Sequence, residues 1–86
     1  MPENCLFCKI VRGEIPAVKL YEDDEVVAFR DIAPQAPLHV LVIPKKHLEG
    51  PAAVAVEDER VVGRMMRVGN EIAVREGFPQ YRTVCN

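Results

Sequence analysis

Apolar and polar positions change period several times along the chain, and each change marks an element. Residues 5–11 are a short apolar segment that predicts a helix of one to two turns, with Asn4 as its N-cap and Gly13 just past its end. Ile15-Pro16 then imposes extended backbone. Residues 18–22 alternate as a strand, Glu22-Asp23-Asp24-Glu25 supplies a turn, and residues 26–30 return as the antiparallel partner. A proline-punctuated loop at 33–37 leads into a second apolar run, 38–43, which Pro44 closes. Unbroken Leu, Val and Ile runs predict strands covered on both faces, which sets His39 in the middle of a sheet.

Gly50-Pro51 marks the next connection, and residues 57–76 predict the one long helix. Val61, Val62, Met65, Met66, Val68, Ile72 and Ala73 recur at spacings of three and four, with Arg60, Arg64, Arg67 and Arg75 over much of the remainder. Glu57, Asp58 and Glu59 suit the positive end of the helix dipole and Arg75 the negative end, and Gly77 and Pro79 terminate it. Gly63 and Gly69 each cost about 1 kcal/mol against alanine in a helix interior. Gly69 lies on the apolar side, where it is either a tolerated gap or a place of close approach at a subunit contact. Residues 81–86 predict another strand. No turn or polar tail follows it, so the sheet is expected to be left with an open edge and its C-terminal strand missing. The pattern is that of one α+β domain over residues 1–86: a mainly antiparallel sheet, one long helix and a short N-terminal helix.

Composition narrows the classes. With 49% apolar and 28% charged residues and a formal charge of −2, the chain has no general attraction for nucleic acid, and no basic stripe is interleaved with aromatics. No apolar run approaches the roughly 20 residues needed to span a bilayer, and the N-terminus lacks the build of a signal peptide. Three cysteines, an odd number, argue against a disulfide framework and for a reducing, cytoplasmic setting.

Three places can carry chemistry. Cys5-x-x-Cys8 with His47 supplies three quarters of a tetrahedral zinc site, but the same pair reads equally as a redox couple or as two small core residues. Asp31 stands at a strand exit after Phe29, where a carboxylate accepts the hydroxyls of a sugar or simply caps a turn. His39 is either a satisfied core histidine or an orienting group. Cys85 reads as a small buried hydrophobe.

Segments spread over the chain carry a resemblance: CLFCKIVRGEIP at 5–16, FRDIAPQAPLH at 29–39, PKKH at 44–47 and YRTVCN at 81–86. Together they resemble the histidine-triad (HIT) family and, within it, the Hint branch of nucleotide-binding hydrolases. The resemblance implies the HIT fold, a homodimer and binding of purine nucleoside monophosphates. It gives Asp31 to the ribose, Leu6, Phe7, Ile10, Phe29 and Ile32 to the surroundings of the base, and Asn86 to sugar and phosphate. His39 matches a histidine that sits behind the triad and orients it. In the family the middle histidine of an H-x-H-x-H strand attacks the α-phosphorus, and water then releases the monophosphate from a nucleotidyl-histidine. The sequence stops before such a strand, and its histidines are His39 and His47. The expectation is therefore a nucleotide-binding chain that resembles a phosphoramidate hydrolase and is inactive by itself. A non-catalytic nucleotide-binding module and a zinc-binding interaction module are the alternatives. Zinc, where family members hold it, uses positions matching Cys5, Cys8 and His47 with a fourth histidine on the strand not found here.

Overall fold

The computed structural model describes residues 5–31 and 37–85. Helix α1 spans Leu6–Val11, strands β1, β2 and β3 span Lys19–Glu22, Val26–Arg30 and Val40–Pro44, and helix α2 spans Glu59–Arg75. Two short 3-10 turns, Pro51–Ala53 and Val56–Asp58, carry the chain from β3 to α2. Among the described residues the sheet has the order β1-β2-β3, antiparallel throughout. No helix of these residues is long and apolar enough to cross a membrane.

The acidic turn between β1 and β2 works through one side chain. Asp23 Oδ1 accepts the backbone N–H groups of Glu25 and Val26 at 2.7 and 2.8 Å, while its Oδ2 accepts the Tyr21 hydroxyl at 2.6 Å. Those bonds, the tyrosine's first, hold the Asp23 carboxyl far below the usual carboxylate range. Beyond the turn, Val26, Val27, Ala28 and Phe29 are all buried, as a strand covered on both faces requires. Val26 and Ala28 pack with Val61, Val68 and Ile72 of α2. Val27 and Phe29 pack on the opposite face with Ile10 of α1 and Ile43 of β3.

Both helices end in the same way. In α2, Phe78 N–H reaches the Ala73 carbonyl (2.8 Å) and Gly77 N–H the Val74 carbonyl (3.1 Å), with Gly77 at φ +89°. In α1, Glu14 reaches Lys9 and Gly13 reaches Ile10, with Gly13 at φ +78°. Each is the paired bond set that satisfies the last helical carbonyls, and it needs a residue that tolerates the left-handed conformation.

Several expectations are corrected here. The cap of α1 is Cys5, whose Sγ accepts the Cys8 N–H at 3.4 Å; Asn4 lies outside the described residues. Helix α2 starts at Glu59 because Asp58 is spent on the loop before it. That carboxylate is buried, accepts Ala55 N–H at 2.9 Å and pairs with Lys46 Nζ at 2.7 Å. His39 is not within the sheet's centre: it precedes β3 by one residue and is half-exposed. The ladder with β2 reaches only to Asp31, whose N–H donates to the His39 carbonyl at 3.0 Å. Residues 81–85 form no strand, since the sheet stops at β3 and leaves them without a ladder neighbour among the described residues. They are exposed, and the Tyr81 hydroxyl ties the segment to Asn70 at 2.9 Å. Cys85 is likewise exposed rather than buried.

Candidate functional site

Two groups of side chains meet on the α1 side of the sheet. The first follows from strand alternation. Phe29 faces α1, so Asp31, two residues on, continues toward the same side, and across the ladder Leu41 and His39 do likewise. The backbone bond between Asp31 and His39 fixes their spacing, and His39 Nδ1 lies 3.4 Å from Asp31 Oδ2. Beside them the Phe7 and Phe29 rings sit 6.5 Å apart at 46°. Leu6 and Phe7 are exposed on α1, whereas Ile10 and Phe29 are buried beneath. The pair of elements thus offers an apolar shelf next to a carboxylate and an imidazole. Ile32 and Asn86, expected at the same site, lie outside the described residues. Arg30, next to Asp31, is turned aside into an ion pair with Glu76.

The second group is the cysteine–histidine cluster. Donor atoms of Cys5, Cys8 and His47 all lie within 4.8 Å of one another. Cys8 Sγ is 3.1 Å from His47 Nδ1, and the other ring nitrogen meets Glu49 Oε1 at 3.0 Å. Glu49 raises the imidazole pKa most, followed by contact with Cys5. The Cys8 backbone N–H and then its thiol lower the Cys5 pKa, while burial raises that of Cys8. In a tetrahedral zinc site with bonds of about 2.0–2.3 Å, donors stand roughly 3.5–3.8 Å apart, so the 3.1 Å Cys8–His47 pair would open slightly and any wider pair within the 4.8 Å cluster would close. The donor set fits zinc: two soft thiolates, and one imidazole whose outer nitrogen is held by a carboxylate. Glu49 was not anticipated from the sequence. An acid two residues after a histidine was the sign available.

Residues 4–86 match the sequence model of the scavenger mRNA decapping enzyme C-terminal binding family. Protein HitA of Neisseria gonorrhoeae is 47% identical over 85 residues, a stretch covering 98% of this chain and 79% of HitA. The chain belongs to the HIT family. A purine nucleoside phosphoramidase of Escherichia coli is 46% identical over 88 residues, covering 100% of the chain and 74% of that enzyme. The crystal structure of a HIT family hydrolase from Legionella pneumophila superposes with a TM-score of 0.90 at 46% identity, over 94% of this chain and 74% of that one. The α+β arrangement described above is accordingly the HIT fold, and both candidate groups lie on it.

Proposed function

We propose that this HIT chain binds a purine nucleoside monophosphate on the α1 side of the sheet. The observation that carries the reading is the juxtaposition of Asp31 and His39 beside the Phe7–Phe29 shelf. Asp31 accepts the ribose hydroxyls, Leu6 and Phe7 flank the base with Phe29 and Ile10 supporting them, and His39 serves as an orienting group. Ile32 and Asn86 complete the base and phosphate surroundings by resemblance. The phosphoramidase activity named for the Escherichia coli relative supports a nucleotide as ligand. Within these 86 residues the histidines are His39 and His47. The first is held against Asp31 and the second between Cys8 and Glu49, so neither is the attacking group of a phosphoramidate hydrolase. The reading is thus nucleotide binding by Asp31 beside the aromatic shelf, in a cytoplasmic protein that pairs with a second copy. Calorimetry with AMP and GMP tests it. Asp31→Ala should weaken binding by about 1.5–3 kcal/mol, the scale of a hydrogen bond to a charged group. Unchanged affinity removes Asp31 from the site.

The cysteine–histidine cluster favours a second, compatible role, the holding of structural zinc by Cys5, Cys8 and His47. Zinc has no redox chemistry to contribute; when bound it would tie α1 to the loop after β3 and add its binding energy to folding. Purified protein should contain zinc, and a strong chelator should lower the thermal midpoint of wild type but not of Cys5→Ser/Cys8→Ser. Equal midpoints with and without chelator, and no zinc in the protein, assign the pair to packing alone.

A further inference from the structure

We propose that Cys5 and Cys8 form a redox switch on the nucleotide shelf: when no metal holds them, they close into a reversible disulfide that shifts Phe7 and weakens nucleotide binding. This rests on the nucleotide reading above and names a control on that same site. The two cysteines bracket Leu6 and Phe7, the exposed pair of α1 that flanks the base. Cys5 is the N-cap, its carbonyl accepts Lys9 N–H at 3.0 Å and its Sγ accepts Cys8 N–H at 3.4 Å. The cysteines are thus joined by one helical turn, whose geometry sets Cα atoms three residues apart at about 5 Å. A disulfide tolerates Cα separations of about 4.4–6.8 Å. The two sulfurs already lie within 4.8 Å of one another, so side-chain rotation closes the bridge without unwinding the helix.

Exposure sets the order of events. Cys8 is buried at 3% and Cys5 is partly open to solvent. A low-molecular-weight disulfide therefore meets Cys5, whose sulfur bonds to one half of it and releases the other half as a thiol. The Cys8 sulfur then attacks Cys5 and expels the second half as a thiol. Two electrons pass from the cysteine pair to the small disulfide, and the two cysteine protons end on the released thiols. Such bridges in a reducing compartment are transient, as a sensor requires. The structural consequence falls on the first turn of α1. Cys8 Sγ leaves His47 Nδ1, now 3.1 Å away, and so drops a contact that ties the helix to the loop after β3. Ile10 stays packed with Val27 and Phe29, which anchors the second turn. The change therefore concentrates at Phe7, next to Cys8, whose ring tilts against Phe29 at 6.5 Å.

Glutathione redox buffers applied to the full chain, with a strong chelator present, test the switch. In Cys85→Ser the pair are the only thiols. This variant should pass in one step from two alkylatable cysteines to none, with a Cys5–Cys8 bridge in peptide mapping and its helical circular dichroism kept. In calorimetry the oxidised form should bind AMP about 3- to 10-fold more weakly than the reduced form, the scale of one aromatic contact. Reductant should restore the affinity. The affinity of Cys5→Ser/Cys8→Ser, whatever its level, should not respond to oxidation. If oxidised and reduced forms bind AMP equally, the nucleotide reading stands and the switch fails. If neither form binds AMP, the nucleotide reading itself fails and the switch with it. A glutathione adduct that persists on Cys5, or a bridge between two chains, overturns the closing of the pair.

Discussion

At the scale of the residue, a few carboxylates do more than solvate a surface. Asp23 accepts two backbone N–H groups and a tyrosine hydroxyl, and Arg64 Nη1 stands 3.2 Å from its Oδ2. The ionised form is what these donors stabilise, so its folded pKa is depressed below the unfolded value. The contribution is then fully present above the ordinary carboxylate range and is lost as pH falls below about 4. Asp58, depressed first by Lys46 and then by the Ala55 N–H, adds in the same direction. The expected outcome is a urea midpoint that drops steeply on acidification in wild type and less steeply in Asp23→Asn. Parallel pH profiles for the two proteins would remove Asp23 as the source. Neither role is visible from the sequence, where Asp23 is one of four successive acids and Asp58 one of three. Spacing cannot say which acid of a run turns inward, because that depends on where Tyr21 and Lys46 are delivered by the fold.

At the scale of the element, legibility follows how much of the outcome is local. Strand β2 was readable to its ends, since four successive apolar residues meet cover on both faces. The helices were readable to within about two residues, and their glycine stops were read correctly because the left-handed requirement is a property of the residue itself. Strand β3 and residues 81–85 were misjudged for a shared reason. Pairing belongs to the partner, and a run such as Leu38-His39 is a strand only where a neighbour's ladder extends to it. The candidate site shows the same division. The grouping of Cys5, Cys8 and His47 was legible from residue type and spacing, while the approach of His39 to Asp31 and the carboxylate of Glu49 behind His47 arise only from tertiary placement. Helix α2 adds a test of its own glycines. A Cβ on Gly63 meets nothing within 4 Å, and one on Gly69 meets Val42 Cγ2 at 3.8 Å, an ordinary contact. Each change to alanine should therefore stabilise the isolated chain by about 0.5–1 kcal/mol in urea unfolding. A loss of stability with Gly69→Ala alone, growing with protein concentration, would instead place that position in a subunit contact.

At the scale of the whole molecule, the defining feature is the outer edge of β3. The bonds from Asp31 N–H to His39 and from Lys45 N–H to Glu25 set which β3 residues bond inward: 39, 41, 43 and 45. The backbone groups of Val40 and Val42 therefore point away from β2, where no strand meets them among the described residues. Their side chains pack toward α2, and a groove of about 210 Å³ runs between this edge, Met65, Met66 and Gly69 of α2, and residues 81–84 opposite. An unpaired edge next to an apolar groove is a template for an added strand, with main-chain bonds supplying affinity and alternate side chains filling the groove. The HIT family reading says what that strand should carry. A synthetic extended peptide with H-x-H-x-H flanked by apolar residues should slow amide exchange at Val40 and Val42. At 100-fold over its Kd it should stabilise the chain by about 2.7 kcal/mol. The same addition should bring a nucleophilic imidazole to the nucleotide, so adenosine phosphoramidate should be hydrolysed by chain plus peptide and by neither alone. Replacing the middle histidine of the peptide by alanine should abolish turnover while leaving the stabilisation intact. Hydrolysis by the 86-residue chain alone, at the rate of the mixture, would contradict this account of where the nucleophile comes from.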